Sequence, residues 1–165
     1  SNHHTLQFTQ SIQLKHSPHS NGSTIDNHTE SVTIGDGLFN NREPFIPSFY
    51  MHSLKRIVIG NDCFGKVRVF ELDGLGELES VEIGNDSFTK TKYADPQWNE
   101  IPTQGSFRIQ NCPKLKSIQI GNESCEDYHS FELNNLPSLQ SIDIGMRCFY
   151  WTPSFSLTGL IDGLV

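Results

Sequence analysis

A short apolar core recurs five times along the chain and ends each time in a glycine. The copies occupy residues 31–35, 56–60, 80–84, 117–121 and 141–145, and their glycines lie 25, 24, 37 and 24 residues apart. A period in the twenties is typical of a solenoid, in which each coil buries its apolar edge only against neighbouring coils. The chain is therefore predicted to be a stack of coils, which favours a broad surface over a single buried reaction centre.

Each repeat carries further apolar positions at fixed distances from the glycine. Four residues after it stand Phe39, Phe64, Phe88, Cys125 and Phe149. A second apolar pair follows at Phe70 and Leu72, Phe107 and Ile109, Phe131 and Leu133, and Phe155 and Leu157. The alternating core predicts a short strand with one buried face, and the later pair predicts a second strand across the coil. The glycine is expected to allow the turn that ends the first strand.

The full unit reads L-x-x-L-x-x-I-x-I-G-x-x-x-F, as in Leu136, Leu139, Ile142, Ile144 and Phe149. In this pattern the chain resembles the leucine-rich repeat, and most of all the BspA-like variety of bacterial and protist surface proteins. The resemblance covers about residues 29–160. It implies a leucine-rich-repeat-like solenoid, mainly β, with two short strands per ~24-residue coil and little helix. It also implies a protein-binding or adhesive role without catalytic residues.

One column departs from that family. The position two residues after the glycine, where an asparagine ladder is expected, carries the charged side chains Asp62, Asp86, Glu123 and Arg147. A regular ladder of buried asparagines is therefore not expected.

The repeats divide the chain into a polar segment, residues 1–28, and a solenoid of about five coils, residues 29–165, with an insertion loop at 89–106. Residues 11–14 repeat the strand pattern and are predicted to form an eroded first coil. The insertion holds three candidate binding residues, Tyr93, Trp98 and Ile101. Exposed aromatic residues make good binding anchors, whereas side chains folded back onto the solenoid would only close a local core.

Charge and hydropathy exclude several classes of partner. The formal charge of −7 opposes binding to nucleic acid and to anionic membranes. No stretch approaches 18 apolar residues, so no membrane insertion is expected. Leu160 stands 24 residues after Leu136 and begins another coil. The last coil is thus expected either to continue in a longer repeat protein or to be covered by another subunit through self-association.

The four cysteines are not predicted to form disulfides. Cys63 and Cys148 occupy one column, but two coils separate them, or about 15 Å at the usual strand spacing. A disulfide needs Cα atoms within about 7 Å. Cys112 and Cys125 stand at core positions and are expected to be reduced. Cys125 with Cys148 is the nearest alternative pair, because their coils are adjacent.

Four sequons of the form N-x-S/T are candidates for glycosylation, at Asn21, Asn27, Asn85 and Asn122. In a secreted protein these asparagines can carry glycans. Alternatively, the repeat simply replicates an asparagine that the coil needs. Localisation outside the cell or on its surface is favoured.

Three functions follow from the solenoid. The first is a scaffold that binds a protein or a glycan through outward strand residues, for which the candidates are Arg56, Glu82, Gln119 and Asp143. The alternative is a structural subunit that stacks end to end into an extracellular filament. A minor alternative is a polysaccharide-active enzyme on a parallel β-helix, which needs two carboxylates roughly 5–10 Å apart. No catalytic group, metal site or cofactor is predicted, because no Cys, His or carboxylate set has suitable spacing.

Overall fold

The computed structural model describes residues 5–8, 28–40, 52–89 and 104–161. These ranges form ten β-strands and contain no helix. The strands are β1 (Thr5–Phe8), β2 (Ser31–Ile34), β3 (Arg56–Ile59), β4 (Val69–Asp73), β5 (Ser80–Ile83), β6 (Ser106–Gln110), β7 (Ser117–Ile120), β8 (Ser130–Leu136), β9 (Ser141–Ile144) and β10 (Ser154–Leu160). The predicted solenoid, mainly β and with little helix, is confirmed.

The strands build two parallel sheets that face each other across the core. Sheet A has the order β1-β2-β3-β5-β7-β9, and sheet B has the order β4-β6-β8-β10. Coil one contains β2, coil two β3 with β4, coil three β5 with β6, coil four β7 with β8, and coil five β9 with β10. All pairings are parallel and in register, so one row of sheet A contains Ile34, Ile59, Ile83, Ile120 and Ile144.

Phenylalanine rings form two continuous stacks inside the solenoid. Beside sheet A, Phe39, Phe64 and Phe88 stack with ring centroids 5.3 and 5.0 Å apart. Along sheet B, the stack runs through Phe70, Phe107, Phe131 and Phe155 with centroids 4.8, 5.3 and 5.2 Å apart. Each fully buried ring contributes about 2–3 kcal/mol through removal of apolar area from water. The core is therefore a set of rows that run the length of the stack.

The strand glycines have a different role from the one expected. Among the described glycines, positive φ angles occur only at Gly37, Gly74, Gly105 and Gly159, so the glycines that end the sheet A strands are not needed for a left-handed turn. A Cβ on Gly84 would lie 2.6 Å from the carbonyl carbon of Gly60, and one on Gly121 would lie 2.6 Å from that of Gly84. Successive coils approach too closely here for any side chain, and this contact selects glycine.

Other residues adopt the left-handed conformation in the turn after each sheet A strand. In each turn these positions lie two and four residues after the glycine that ends the strand. The non-glycine examples are Phe39, Asp62, Phe64, Asp86, Phe88, Glu123, Cys125, Arg147 and Phe149, with φ between 52° and 61°. This conformation costs roughly 1–2 kcal/mol for a residue with a Cβ. Burial of the phenylalanine rings offsets that strain.

The structure adds one strand before β2 and shortens the predicted insertion by one residue. The strand that pairs with β2 is β1, residues 5–8, whereas the strand predicted at residues 11–14 lies outside the described residues. The β1 sequence Thr-Leu-Gln-Phe has the alternation of polar and apolar residues that is typical of the other strands, although the sequence analysis did not single it out. Ser106, assigned above to the insertion, is the first residue of β6.

Coils two and four contact each other directly at the corner where the insertion occurs in coil three. The buried Tyr128 hydroxyl donates a hydrogen bond to the backbone oxygen of Val67, 2.8 Å away and 61 residues earlier. Beside it, the guanidinium of Arg68 lies 3.5 Å from the carboxylate of Asp127. Gly105 lies against the Tyr128 ring with φ +98°. The Tyr128 side chain thus joins coils two and four at this corner.

Candidate binding surface

The outward residues of sheet A form two straight rows. The in-register pairing places Arg56 beside Ser80, Ser117 and Ser141 in one row. The second row contains Thr33, Val58, Glu82, Gln119 and Asp143. The four strand residues proposed from the sequence therefore share one surface, which we call the sheet A face. Neighbouring residues in a row are separated by about 4.8 Å, the spacing of hydrogen-bonded strands.

Ion pairing divides the sheet A face into two halves. Nη2 of Arg56 donates to both carboxylate oxygens of Glu82, each at 3.0 Å. Both side chains are well exposed, so the pair adds little to stability, but it occupies their hydrogen-bonding groups. Gln119 and Asp143 have no side-chain partner among the described residues. The half of the face formed by β7 and β9, which we call the open half, therefore presents free polar groups.

The outer face of sheet B is more completely paired. Arg108 lies between two carboxylates, with Nε 3.0 Å from Glu132 and Nη1 3.8 Å from Glu71. Nε2 of Gln110 donates to Asp73 at 2.8 Å. These contacts leave fewer groups available for a partner than the open half of the sheet A face does.

Tyr150 and Trp151 are two exposed aromatic residues that the sequence pattern did not identify as candidates. Tyr150 and Trp151 lie at the corner of coil five, with ring centroids 4.8 Å apart and planes at 86°. The guanidinium of Arg147 lies 5.6 Å from the Tyr150 ring and donates to Glu126 at 2.9 Å. A signal was present in the sequence, because the same two positions after the column of Phe149 hold small or charged residues in coils two to four and asparagines after Phe39. The residues in coils two to four are Gly65, Lys66, Thr89, Lys90, Glu126 and Asp127.

An asparagine ladder is present, but it lies one residue after the strand glycine and on the exposed side. Oδ1 of Asn61 accepts a hydrogen bond from the backbone N–H of Asn85 at 2.8 Å, and Oδ1 of Asn85 accepts one from Asn122 at 2.8 Å. Asp36 and Asn122 make the equivalent contacts at the two ends of the row. Each asparagine thus links its coil to the next, which gives the repeat a structural reason to contain asparagine.

The serines of the two described sequons are structural as well. The buried Ser87 hydroxyl donates to the backbone oxygen of Gly60 at 2.8 Å, and Ser124 donates to Gly84 at 2.7 Å. The Nδ2 groups of Asn85 and Asn122 have no partner among the described residues, and both asparagines are exposed. These two amides are accessible to a glycan. The candidates Asn21, Asn27, Tyr93, Trp98 and Ile101 lie outside the described residues.

The cysteines belong to the core and not to a reactive site. Cys63, Cys112 and Cys125 are buried, and Cys148 is half-buried. Burial is the main cause that raises the pKa of Cys112 to about 11 and the pKa of Cys125 well above its ordinary value. A thiol with a raised pKa stays protonated near neutral pH and is a poor nucleophile.

In the described ranges, no group of three or more His, Cys, Asp or Glu side chains is arranged to hold a metal ion. No helix within them has the length and apolar character needed to cross a bilayer. Comparisons with models of protein families, with curated proteins and with solved structures found no match.

Proposed function

We propose that this protein is a non-catalytic repeat scaffold that binds a protein or a glycan through the sheet A face. The observation that carries the proposal is the open half of that face, where Gln119 and Asp143 have free polar groups beside Ser117 and Ser141. These groups stand in two rows on a hydrogen-bonded sheet. Because the sheet is already ordered, binding would require little further ordering of the protein.

The rows favour an extended partner with regularly spaced polar groups. Hydroxyls of a glycan chain or the backbone of an extended peptide can hydrogen-bond to amide, carboxylate and hydroxyl groups in successive strands. The free carboxylate of Asp143 and the net charge of −7 favour a neutral or basic partner. Tyr150 and Trp151 supply exposed aromatic area in the same coil as Asp143, of the kind that often dominates binding energy.

A non-catalytic role is also supported by the surroundings of the two outward carboxylates. Glu82 and Asp143 are two strands apart, about 10 Å by strand spacing. Glu82 is engaged by Arg56, and the sheet A face is open to solvent. Polysaccharide cleavage relies on a general acid held in an environment that favours its protonated form.

Display at a cell surface or in the extracellular space is part of the proposal. Its support is that the Nδ2 groups of Asn85 and Asn122 can carry glycans while their Oδ1 atoms remain in the ladder. Expression through a secretory pathway, followed by mass spectrometry of the two sequon peptides, tests this part. Unoccupied sequons in the secreted protein would contradict it.

A binding comparison with a matched control tests the scaffold. The double variant Gln119→Ala/Asp143→Ala removes the free groups of the sheet A face, whereas Gln140→Ala removes an exposed amide just before β9. On an array of neutral, acidic and amino glycans, we expect binding that falls at least about fivefold in the double variant, equivalent to ~1 kcal/mol, and is unchanged in Gln140→Ala. A photo-crosslinker at position 119, compared with one at position 140, tests protein partners in the same way. Equal behaviour of the two positions in both assays would reject the sheet A face as the binding site.

A second candidate function is that of a structural subunit that stacks end to end. It is favoured by one specific observation, the apolar side chains that coil five, the last coil within the described residues, leaves exposed. Sedimentation velocity over a wide range of protein concentration tests this candidate. A monomer at every concentration would exclude it.

A further inference from the structure

Three successive coils contain the same turn after the sheet A strand. Each turn begins with an exposed asparagine, which is Asn61, Asn85 or Asn122. The residue after it has a left-handed φ of 54°, 58° or 59°. The backbone oxygen of each asparagine accepts a hydrogen bond from the coil before, over 2.8 or 2.9 Å. The backbone of the turn in coil two is therefore equivalent to that of the two turns that hold sequons.

The side-chain amide of Asn61 is also held like that of Asn85. Oδ1 of Asn61 accepts a hydrogen bond from the N–H of Asn85 at 2.8 Å, and Oδ1 of Asn85 accepts one from Asn122 at 2.8 Å. Nδ2 of Asn61 has no partner among the described residues. A group attached to Nδ2 would leave the ladder bond intact, because that bond uses only Oδ1.

Cys63 takes the place of the sequon serine in coil two. Its thiol donates a hydrogen bond to the backbone oxygen of Gly35 over 3.2 Å, and the two sequon serines make the equivalent contact over 2.8 and 2.7 Å. The thiol of Cys63 and the hydroxyl of Ser87 each lie 3.4 Å from the backbone oxygen of the asparagine in the same turn. A thiol is a weaker hydrogen-bonding group than a hydroxyl, but here it has the same position and the same kind of acceptor.

Residues 61–63 therefore form a sequon in which a thiol replaces the hydroxyl. They read Asn-Asp-Cys, and the sequon of coil three reads Asn-Asp-Ser. We propose that Asn61 is a third acceptor for an N-linked glycan, occupied at a lower level than Asn85 and Asn122 because the thiol is the weaker group. This inference rests on the display in the extracellular space proposed above, and it adds a site that the N-x-S/T pattern does not include.

The attachment is a transfer of sugar to the amide nitrogen. The donor is an oligosaccharide joined through its anomeric carbon to a lipid diphosphate. A bond forms between Nδ2 of Asn61 and the anomeric carbon, while the bond from that carbon to the diphosphate oxygen breaks and its electron pair leaves with the diphosphate. Nδ2 gives up one proton to a base of the transferase. The thiol of Cys63 keeps its covalent structure throughout.

Burial determines when the transfer takes place. Cys63, Ser87 and Ser124 are 0% exposed, and each is bonded to the coil before it. A transferase that reads these side chains must reach them before the coil packs onto its predecessor, so we expect transfer only to chains that are not yet folded. The folded chain, produced without glycans and incubated with the purified transferase and its lipid-linked oligosaccharide, should remain unmodified at all three asparagines. Modification of the folded chain would overturn this order of events.

Glycopeptide mass spectrometry of the secreted chain tests the site. In the wild type, we expect the peptide that contains Asn61 to carry a glycan in a smaller fraction of molecules than the peptides of Asn85 and Asn122. Asn61→Asp is the control for the assignment, because it removes Nδ2 and keeps an acceptor oxygen of the kind that Asp36 supplies in coil one. The glycan should be absent from that peptide in the variant.

Substitutions at Cys63 test the role of the thiol. Cys63→Ser should raise the occupancy of Asn61 several-fold, and Cys63→Ala should abolish it, since alanine has no hydrogen-bonding side chain. The serine variant should fold, because Ser87 holds the same position in the next coil. Cys148→Ser is the matched control, since the residue two positions before it is Met146 and no acceptor is created.

The outcomes separate this inference from the proposed display. Glycans at Asn85 and Asn122 without any at Asn61 in the wild type would overturn the third site, whether or not Cys63→Ser creates one, and would leave the display intact. Equal occupancy of Asn61 in the wild type and in Cys63→Ala would mean that the thiol is not read, and would contradict the geometric argument. Absence of glycans from all three positions would overturn both proposals.

Discussion

Coils four and five have the same sequence pattern but very different exposure. Ile120, Phe131 and Leu133 of coil four are 1, 2 and 0% exposed, whereas Ile144, Phe155 and Leu157 of coil five are 37, 56 and 53% exposed. The strands of both coils pair in the same register with the coil before. The difference arises only because coil four has a following coil within the described residues and coil five does not. In a solenoid, burial depends on the neighbours of a repeat as much as on the repeat itself.

The largest expected difference concerns the phenylalanine stack of sheet B. Phe131→Ala should lower the free energy of unfolding by about 3–5 kcal/mol, because it leaves a cavity between buried rings. Phe155→Ala should lower it by about 1 kcal/mol or less, since about half of that ring is already in water. Urea denaturation at low protein concentration, where copies do not associate, measures both. Equal losses would mean that coil five is covered in solution.

Substitutions in the glycine column should destabilise coils four and five to a similar extent. A Cβ on Gly145 would lie 2.6 Å from the backbone nitrogen of Asn122, a contact as close as the one at Gly121. Since both glycines face the preceding coil, Gly121→Ala and Gly145→Ala should each lower the free energy of unfolding by about 1–3 kcal/mol. Gly76→Ala is the control, because a Cβ there meets nothing within 4 Å. A harmless Gly145→Ala would indicate that coil five is only loosely attached.

Removal of a ladder amide should have a smaller effect that is similar in both coils. Asn85→Ala removes the acceptor for the Asn122 N–H, and Asn122→Ala removes the acceptor for the Met146 N–H. Each should lower the free energy of unfolding by about 1 kcal/mol, the net value of one hydrogen bond. Asn85→Asp should retain most of it, because Asp36 serves as the acceptor in coil one. Thermal unfolding of the three variants at neutral pH measures the effect.

The last effect, absent at neutral pH, is a dependence of stability on alkaline pH. Burial raises the pKa of Cys112 from 9.0 to about 11, so the unfolded chain loses its thiol proton first. The free energy of unfolding should therefore fall as pH rises from about 9 to about 11, with a slope set by at most the one proton that this thiol retains in the folded chain. Cys112→Ala should flatten the slope of urea midpoint against pH, and Cys148→Ala should change it less because Cys148 is half-buried. Identical slopes in the wild type and Cys112→Ala would contradict this assignment.

Periodicity predicted the parts of the fold that depend on apolar side chains. The I-x-I and F-x-L positions fall in the strands of sheets A and B, and their side chains point into the core. These positions were readable because burial on one face of a strand produces an alternating pattern. The sheet A face followed from the same alternation, which placed Glu82, Gln119 and Asp143 in one outward row.

Features set by contacts between coils were not readable in the same way. The glycine column reflects the distance between backbones, and the left-handed phenylalanines reflect a turn that most sequences would build with glycine. The ion pair of Arg56 with Glu82 joins residues 26 positions apart, so it required the register to be known. The open half of the sheet A face therefore became visible only in three dimensions.

The ladder also has a consequence for how such a chain can change in length. Every ladder bond joins equivalent atoms of adjoining units, and the partners are spaced at 24, 25 or 37 residues without loss of the bond. If a whole repeat were duplicated or deleted in the gene, the two coils brought together would have the same ladder groups as the coils that met before. The molecule is thus built so that recombination between its own repeats can lengthen or shorten it while each remaining junction stays intact.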